Sequence, residues 1–375
     1  MRHIGLNLIY LMPGCTGGME TVARELIPAL AAARPDVRLT AFVNREAAGE
    51  HGPWREAAEW VSLPVRASSR VDWVRGEQTL LPRAAAAAGV ELLHSLGATA
   101  PLWGPFRRVV SIYDFNYKLY PETHNRLYGR GLDLLVRLGA RRSDRILACS
   151  QSTRGDAERL LSVAGERIDV VPLGLGAKRG DVAPTPAAEL RNRYGLDPAR
   201  QVVLTFSDRR PHKNLTRLID ATRDGEHLLV IAGYVTAYER ELRARIADLG
   251  LEERVRLLPW VPDADREGLY ELASVFVFPS LYEGFGLPVL EAMARGVPVA
   301  CSTAASLPEV AGDAALLFDP HDTCAITTAV GRLLSDPREA KRLRAAGRER
   351  AARFSWEATA AGTLACYERT LSVCP

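Results

Sequence analysis

One rhythm constrains this chain more than any other feature. A short apolar run rich in β-branched residues is followed by a Gly or Pro turn and an amphipathic helix, many times over. Strands buried on both faces read as continuous apolar runs, and the helices between them supply the crossovers that parallel strands need. The pattern predicts an α/β fold with parallel sheets and helices on both faces. A first series of strands is expected at 4–10, 38–43, 92–94, 109–113, 145–148 and 168–171, with helices at 20–33, 76–88, 124–141 and 152–161. A second series runs through 202–207, 228–232, 255–258, 275–279, 298–301 and 315–318, before helices at 340–353 and 357–371. Between them, 173–198 is rich in Gly, Pro, Asp and Ala and lacks sustained periodicity. A chain of 375 residues exceeds what one core usually organises. The expected division is a domain at 1–175, a linker at 176–198, a second domain at 199–355 and a terminal helix at 356–375.

Composition narrows the function classes. The 48 basic and 45 acidic residues nearly balance, which argues against a nucleic-acid partner. Four of the basic residues are lysines (Lys118, Lys178, Lys213, Lys341), so arginine counts say little and each lysine says more. Six scattered cysteines (Cys15, Cys149, Cys301, Cys324, Cys366, Cys374) fit reduced thiols in a cytoplasmic protein, not a disulfide framework or zinc site. No apolar run reaches the roughly 18 residues of a membrane span. The stretch 4–11 is interrupted by Asn7 and runs into Pro13-Gly14, which reads as a first strand and not a signal peptide. The arginine-rich helix at 124–145 reads as a solvated amphipathic face ahead of a membrane-surface or acidic-acceptor patch.

Two loops join a strand to a helix through glycines: Pro13-Gly14-Cys15-Thr16-Gly17-Gly18, and Glu283-Gly284-Phe285-Gly286, with Pro288 at the following helix start. Backbone N–H groups and the helix dipole favour an anion there, phosphate above all, although each glycine pair taken alone reads first as a tight turn without ligand. Glu283 precedes the second loop, and Glu291 lies eight residues on in the helix. A carboxylate beside a phosphate site has to serve another part of the ligand. It accepts hydrogen bonds from two neighbouring hydroxyls, so sugar rings flanking a diphosphate are natural partners. Asp263-Ala264-Asp265 has the spacing of a metal-binding pair but follows Pro262 and reads as a helix start. No metal is expected.

The string from Phe278 through Glu283-Gly284-Phe285-Gly286-Leu287 and Glu291 to Val299 resembles the glutamate–seven-residue–glutamate signature of family-four retaining glycosyltransferases. Gly17-Gly18-Met19-Glu20 resembles the family's N-terminal glycine loop, and Arg209-Arg210-Pro211-His212-Lys213-Asn214 its basic diphosphate-binding segment. The stretch 302–313 and the closing Phe354-Ser355-Trp356 helix also match in order. The resemblance implies the GT-B fold: two Rossmann-like domains with parallel sheets facing across a cleft, and a C-terminal helix crossing back to the N-terminal domain.

It also implies roles. Glu291 binds the ribose hydroxyls and Glu283 faces the donor hexose near its reacting end. Gly284, Phe285, Gly286 and Leu287 hold sugar hydroxyls and phosphate through backbone N–H groups. Lys213, with Arg209 or Arg210, neutralises the leaving diphosphate, and Gly17 and Gly18 approach it from the opposite domain. The implied activity is metal-independent transfer of a mannose- or glucose-type hexose from a nucleotide-diphosphate sugar to a saccharide, lipid-linked glycan or natural product. No other cofactor is implied. The leaving phosphate takes the acceptor proton, so no general base is named. Cytoplasmic location, with peripheral contact at the inner membrane face, is the accompanying expectation.

One departure stands out. Where many relatives carry His-Asp near the donor sugar, this chain has Tyr113-Asp114, and a tyrosine is a poor proton shuttle. Asp114 could bind a sugar hydroxyl or cap a turn, and His94 could line the acceptor side or be a satisfied buried imidazole. Two alternatives stay open: a catalytically impaired nucleotide-sugar-binding protein, and a sugar-nucleotide epimerase or phosphorylase on the same fold.

Overall fold

A computed structural model describes residues 2–121, 126–175 and 182–372. The chain forms two compact units: Met1–Gly176 together with Phe354–Pro375, and Ala177–Arg353. The first unit holds a seven-stranded parallel sheet of β1 (His3–Leu8), β2 (Arg38–Val43), β3 (Glu59–Ser62), β4 (Leu92–Ser95), β5 (Arg107–Ile112), β6 (Arg145–Ala148) and β7 (Ile168–Val170), in the order β3-β2-β1-β4-β5-β6-β7. The second holds six parallel strands: β8 (Val202–Phe206), β9 (Leu228–Ala232), β10 (Val255–Leu258), β11 (Ala273–Phe278), β12 (Val299–Ser302) and β13 (Ala315–Phe318), in the order β10-β9-β8-β11-β12-β13. Both are Rossmann-like. In each, strand order reverses once, between β1 and β4 and between β8 and β11. In open parallel sheets of this kind, ligands bind outside the carboxyl ends of the strands at such a reversal.

The cores follow the apolar runs. In the second unit Val203, Leu229, Ile231, Val275 and Val277 pack with Leu215, Leu218, Ile219 and Leu242 from the helices. In the first, β1 is buried along its whole length. The terminal helix Trp356–Ser372 packs on the helix Gly18–Ala33. Ser355 accepts from Ala358 N at 3.1 Å and caps its start. The Trp356 indole donates to Leu175 O at 2.6 Å, and a Cβ on Gly174 would stand 2.5 Å from Trp356 N, so only glycine fits that approach.

Three expectations change. The edge strand β3 escaped notice because its four residues, Glu59-Trp60-Val61-Ser62, are all partly exposed and carry no apolar run. The expected linker is not one over its described residues, 182–198. It contains the helix Ala187–Tyr194, whose single buried residue, Leu190, is too little periodicity to read, and Arg193 and Tyr194 both bind the buried Asp265. Residues 176–181 lie outside the described residues. The expected helix 76–88 is two pieces, a π turn at Gly76–Leu80 and Leu81–Ala87, and a further helix, Arg70–Arg75, runs directly into it. The arginine-rich helix runs Arg126–Arg142, with 124 and 125 of its expected span, and Cys374, outside the described residues. Asp263 does open a helix, Asp263–Leu272. No helix among the described residues is long and apolar enough to cross a membrane.

Candidate active site

In the second unit the site grows from the exits of β8 and β11, the two strands at the order reversal. After β8 the chain makes a 3₁₀ turn, Pro211–Lys213, and Asn214 turns it with φ 57°. After β11 comes the signature loop 279–286, then the helix Leu287–Ala294 with Pro288 in its first turn. The loop is fastened by its own carbonyls. Asn214 donates to Pro279 O at 3.0 Å, Ser302 to Ser280 O at 2.6 Å, and Ser306 to both Glu283 O (2.9 Å) and Phe285 O (2.6 Å). Leu281 N donates to His212 O at 2.8 Å and ties the two loops together. Gly286 has φ 118°, and a Cβ there would meet Leu307 at 2.7 Å. Glycine is required at that turn.

This scaffold brings Lys213 and Glu283, 70 residues apart in sequence, into an ion pair of 2.7 Å with side chains 13% and 11% exposed. Ser280 Oγ donates to the same Glu283 oxygen at 2.6 Å. Asp208 lies 3.8 Å from Lys213 Nζ and pairs with Arg210 at 2.7 Å. The ammonium also stands 5.7 Å from the centre of the Phe278 ring. Two cations and two carboxylates therefore meet beside a helix N-terminus, whose first-turn N–H groups lack intrahelical partners.

Glu291 lies one turn into that helix and accepts from Tyr270 OH at 3.1 Å. Tyr270 is buried, which raises its phenol well above the ordinary range, and Arg295 lies over its ring at 4.7 Å while pairing with Glu267. Sequence reasoning gave no role to Tyr270, Ser280 or Asp208, of which the first bonds Glu291, the second Glu283, and the third the basic pair Arg210 and Lys213.

The expectation for Arg209 is corrected. Its guanidinium is 1% exposed, paired with Glu239, and donates to Leu258 O. Burial pushes it below the usual arginine range. Nothing in the sequence separates two adjacent arginines, but alternation along the chain after β8 turns one inward. Arg210, 40% exposed, is the arginine left at the rim with Lys213.

In the first unit, the glycine loop follows β1 at that sheet's reversal. Gly14 (φ 73°) and Gly17 (φ 60°) need glycine for their backbone, and Gly14 N donates to Glu20 at 2.8 Å. Gly18 has no such need: a Cβ there would meet nothing within 4 Å. His94 is fully buried, held by Tyr367 OH at 2.6 Å and Ser111 Oγ at 2.8 Å, and burial drives its imidazole down to about 3. It is the satisfied core histidine of the two readings, between β4, β5 and the terminal helix. Burial likewise raises the Tyr113 phenol, which bonds towards Ser111. Asp114 accepts from Asn116 N at 2.9 Å, a turn two residues long that leads into the short helix Asn116–Leu119.

Two Rossmann-like parallel sheets define a protein of the doubly wound α/β class, and sequence comparison supplies the family. The pattern described as Glycosyltransferase Family 4 matches residues 16–179, and that of Glycosyl transferases group 1 matches residues 187–350. The chain belongs to this glycosyltransferase family and has its GT-B fold. It is 33% identical over 270 residues to O-antigen chain mannosyltransferase B of Escherichia coli, covering 70% of each chain. It is 32% identical over 326 residues to the GDP-mannose-dependent alpha-(1-6)-phosphatidylinositol monomannoside mannosyltransferase of Mycolicibacterium smegmatis, covering 79% of this chain and 82% of that one. In fold it resembles sucrose-phosphate synthase from Thermosynechococcus elongatus (TM-score 0.78, 23% identity, 98% and 99% covered). It also resembles Anabaena Alr3699/HepE in complex with UDP-glucose (TM-score 0.73, 20% identity, 97% and 100% covered).

Proposed function

We propose that this glycosyltransferase is a retaining, metal-independent hexosyltransferase that moves mannose, or a glucose-type hexose, from a nucleotide-diphosphate sugar to a saccharide or lipid-linked acceptor. The observation that carries the reading is the Lys213–Glu283 pair, 2.7 Å apart beside the first turn of the helix Leu287–Ala294. Glu291 takes the ribose hydroxyls, Glu283 the hexose hydroxyls, and the N–H groups from Gly284 to Leu287 the phosphate. Lys213 and Arg210 neutralise the leaving diphosphate, where charge develops in the transition state. The acceptor oxygen attacks the anomeric carbon on the face the diphosphate leaves. A diphosphate oxygen takes the acceptor proton as the carbon–oxygen bond to it breaks. Two mannosyltransferases among the relatives, one of them GDP-mannose-dependent, favour mannose.

A second reading, donor binding without transfer, is favoured by the buried Tyr113 phenol, which offers no proton shuttle. One assay separates the two. Nucleotide-diphosphate hexoses are supplied with mono- and oligosaccharide acceptors in EDTA, and transfer is followed by mass spectrometry. Transfer by the wild type that disappears in folded Lys213→Ala and Glu283→Ala supports the proposal. Undiminished turnover in either variant removes that residue from the mechanism, and nucleotide binding without turnover in the wild type establishes the second reading.

A further inference from the structure

Glu291 is braced by two helices through side chains at helical spacing. Glu267 and Tyr270 lie three apart on the helix Asp263–Leu272, and Glu291 and Arg295 lie four apart at the end of the helix Leu287–Ala294, so each pair shares one helix face. The two faces meet. Tyr270 OH donates to Glu291 Oε2 at 3.1 Å, and Arg295 Nε donates to Glu267 Oε2 at 2.8 Å. Arg295 also stands 4.7 Å over the Tyr270 ring and donates from Nη1 to Glu291 O at 3.0 Å. The Arg295 and Glu267 side chains are 2% and 9% exposed, so their pair is a buried part of the fold and not a solvated one.

Packing fixes the Tyr270 ring. It is buried, and Phe206 from the end of β8 and Phe276 from β11 lie against it with ring centroids 4.9 and 5.8 Å away. Burial first, and then the charge of Glu291, raises its phenol well above the ordinary range, so the hydroxyl stays a donor through the neutral pH range. Half of the Glu291 carboxylate is thereby used. Oε2 is tied down, whereas Oε1 has no donor among the described residues and the side chain is partly exposed. A glutamate without such a brace loses rotamer freedom when a ligand orders it, which costs about 2- to 10-fold in affinity. Tyr270 removes that loss by ordering the carboxylate in advance.

We propose that Tyr270 is a positioning residue: it sets the Glu291 carboxylate for two neighbouring hydroxyls of the donor's ribose, and so makes the site select ribonucleoside over deoxyribonucleoside diphosphates. This rests on the nucleotide-sugar reading above, in which Glu291 takes those hydroxyls. The test is calorimetric titration of the full chain with UDP, GDP, ADP, their 2′,3′-dideoxy counterparts and inorganic pyrophosphate. The wild type is expected to bind the preferred ribonucleoside diphosphate at least about 10-fold more tightly than its dideoxy form, the range of a hydrogen bond to a charged group. Tyr270→Phe keeps the packed ring and is expected to lose roughly 3- to 10-fold on the ribonucleotide alone, with the dideoxy form and pyrophosphate unchanged. In a Glu291→Ala background the same substitution should change nothing further, because both act through one carboxylate. Equal weakening of all three ligands by Tyr270→Phe would show packing only and overturn the positioning role, as would an unchanged ribonucleotide affinity. A wild type that binds a nucleotide and its dideoxy form equally overturns the ribose role of Glu291 together with this one. A wild type that binds none of the three nucleotides overturns the nucleotide-sugar reading itself.

Discussion

Replacing Lys213 by Met removes one charge while keeping most of the apolar stem, and it separates a structural ion pair from a functional one. At an effective dielectric near 20, unit charges as close as Lys213 Nζ and Glu283 Oε1 attract by about 6 kcal/mol, most of which their desolvation offsets. Losing one partner of a fully buried pair costs about 3–5 kcal/mol, because the remaining charge is stranded. Here Ser280 still donates to Glu283, and the carboxylate keeps 11% exposure, so a cost near 2–3 kcal/mol is expected. For a unit of this size that is a fall of about 5–10 °C in its unfolding temperature. Adding Glu283→Gln removes the stranded charge and restores most of the stability. Transfer behaves differently: Lys213→Met lowers it about 100- to 1000-fold, as loss of one preorganised donor does, and the double variant stays inactive. Scanning calorimetry and initial rates on the same preparations make the comparison. Activity that recovers together with stability in the double variant would refute a catalytic role for Lys213.

Three further outcomes are expected. Gly18→Ala meets no steric obstacle and adds helix propensity, so it should leave stability level or raise it by about 0.5–1 kcal/mol. Its transfer rate falls only if a ligand approaches that backbone, and unchanged kcat/KM removes Gly18 from the donor site. Tyr113→Phe should keep turnover within a few-fold and cost about 1 kcal/mol, and a 100-fold loss would show the hydroxyl reaching substrate. His94 is held down to about 3 in the folded chain against 6.5 when exposed. Between those values the unfolded chain binds the extra proton, so stability contributed by neutral His94 is present above 6.5 and is lost as pH falls through the window. The slope from this residue approaches about 1.4 kcal/mol per pH unit. In His94→Gln, urea denaturation from pH 7 to pH 4 should lose that increment, and an identical slope would show that His94 does not set it.

Much of this architecture was legible because parallel sheets announce themselves. Among the described residues, twelve of the thirteen strands fall on stretches the sequence marks as strands, Leu228–Ala232 being the most apolar. The missed strand, β3, lies at an edge where burial no longer writes such a run. The signature helix and Lys213 were legible for a different reason: glycines and a rare lysine fall at strand exits. What lay out of reach was side-chain direction. Arg209 and Arg210 are chemically identical in sequence, and packing against Glu239 and Leu258 decides which one is buried. His94 likewise reads in sequence as either a cleft-lining or a buried imidazole, and the hydrogen bond to Tyr367, 273 positions away, decides for burial. The contacts by which Tyr270 and Ser306 hold the site depend on long-range packing that no local spacing encodes.

The most direct measurement follows the fate of the donor's anomeric carbon. Proton NMR on a panel of nucleotide-diphosphate hexoses, GDP-mannose and UDP-glucose included, is recorded in EDTA with wild type, Lys213→Met and Glu283→Gln. A retaining, metal-independent site predicts that one α-configured donor is consumed by the wild type, yields an α-configured product first, and persists with both variants. A β-configured first product, consumption that needs added metal, or no consumption of any donor would contradict it.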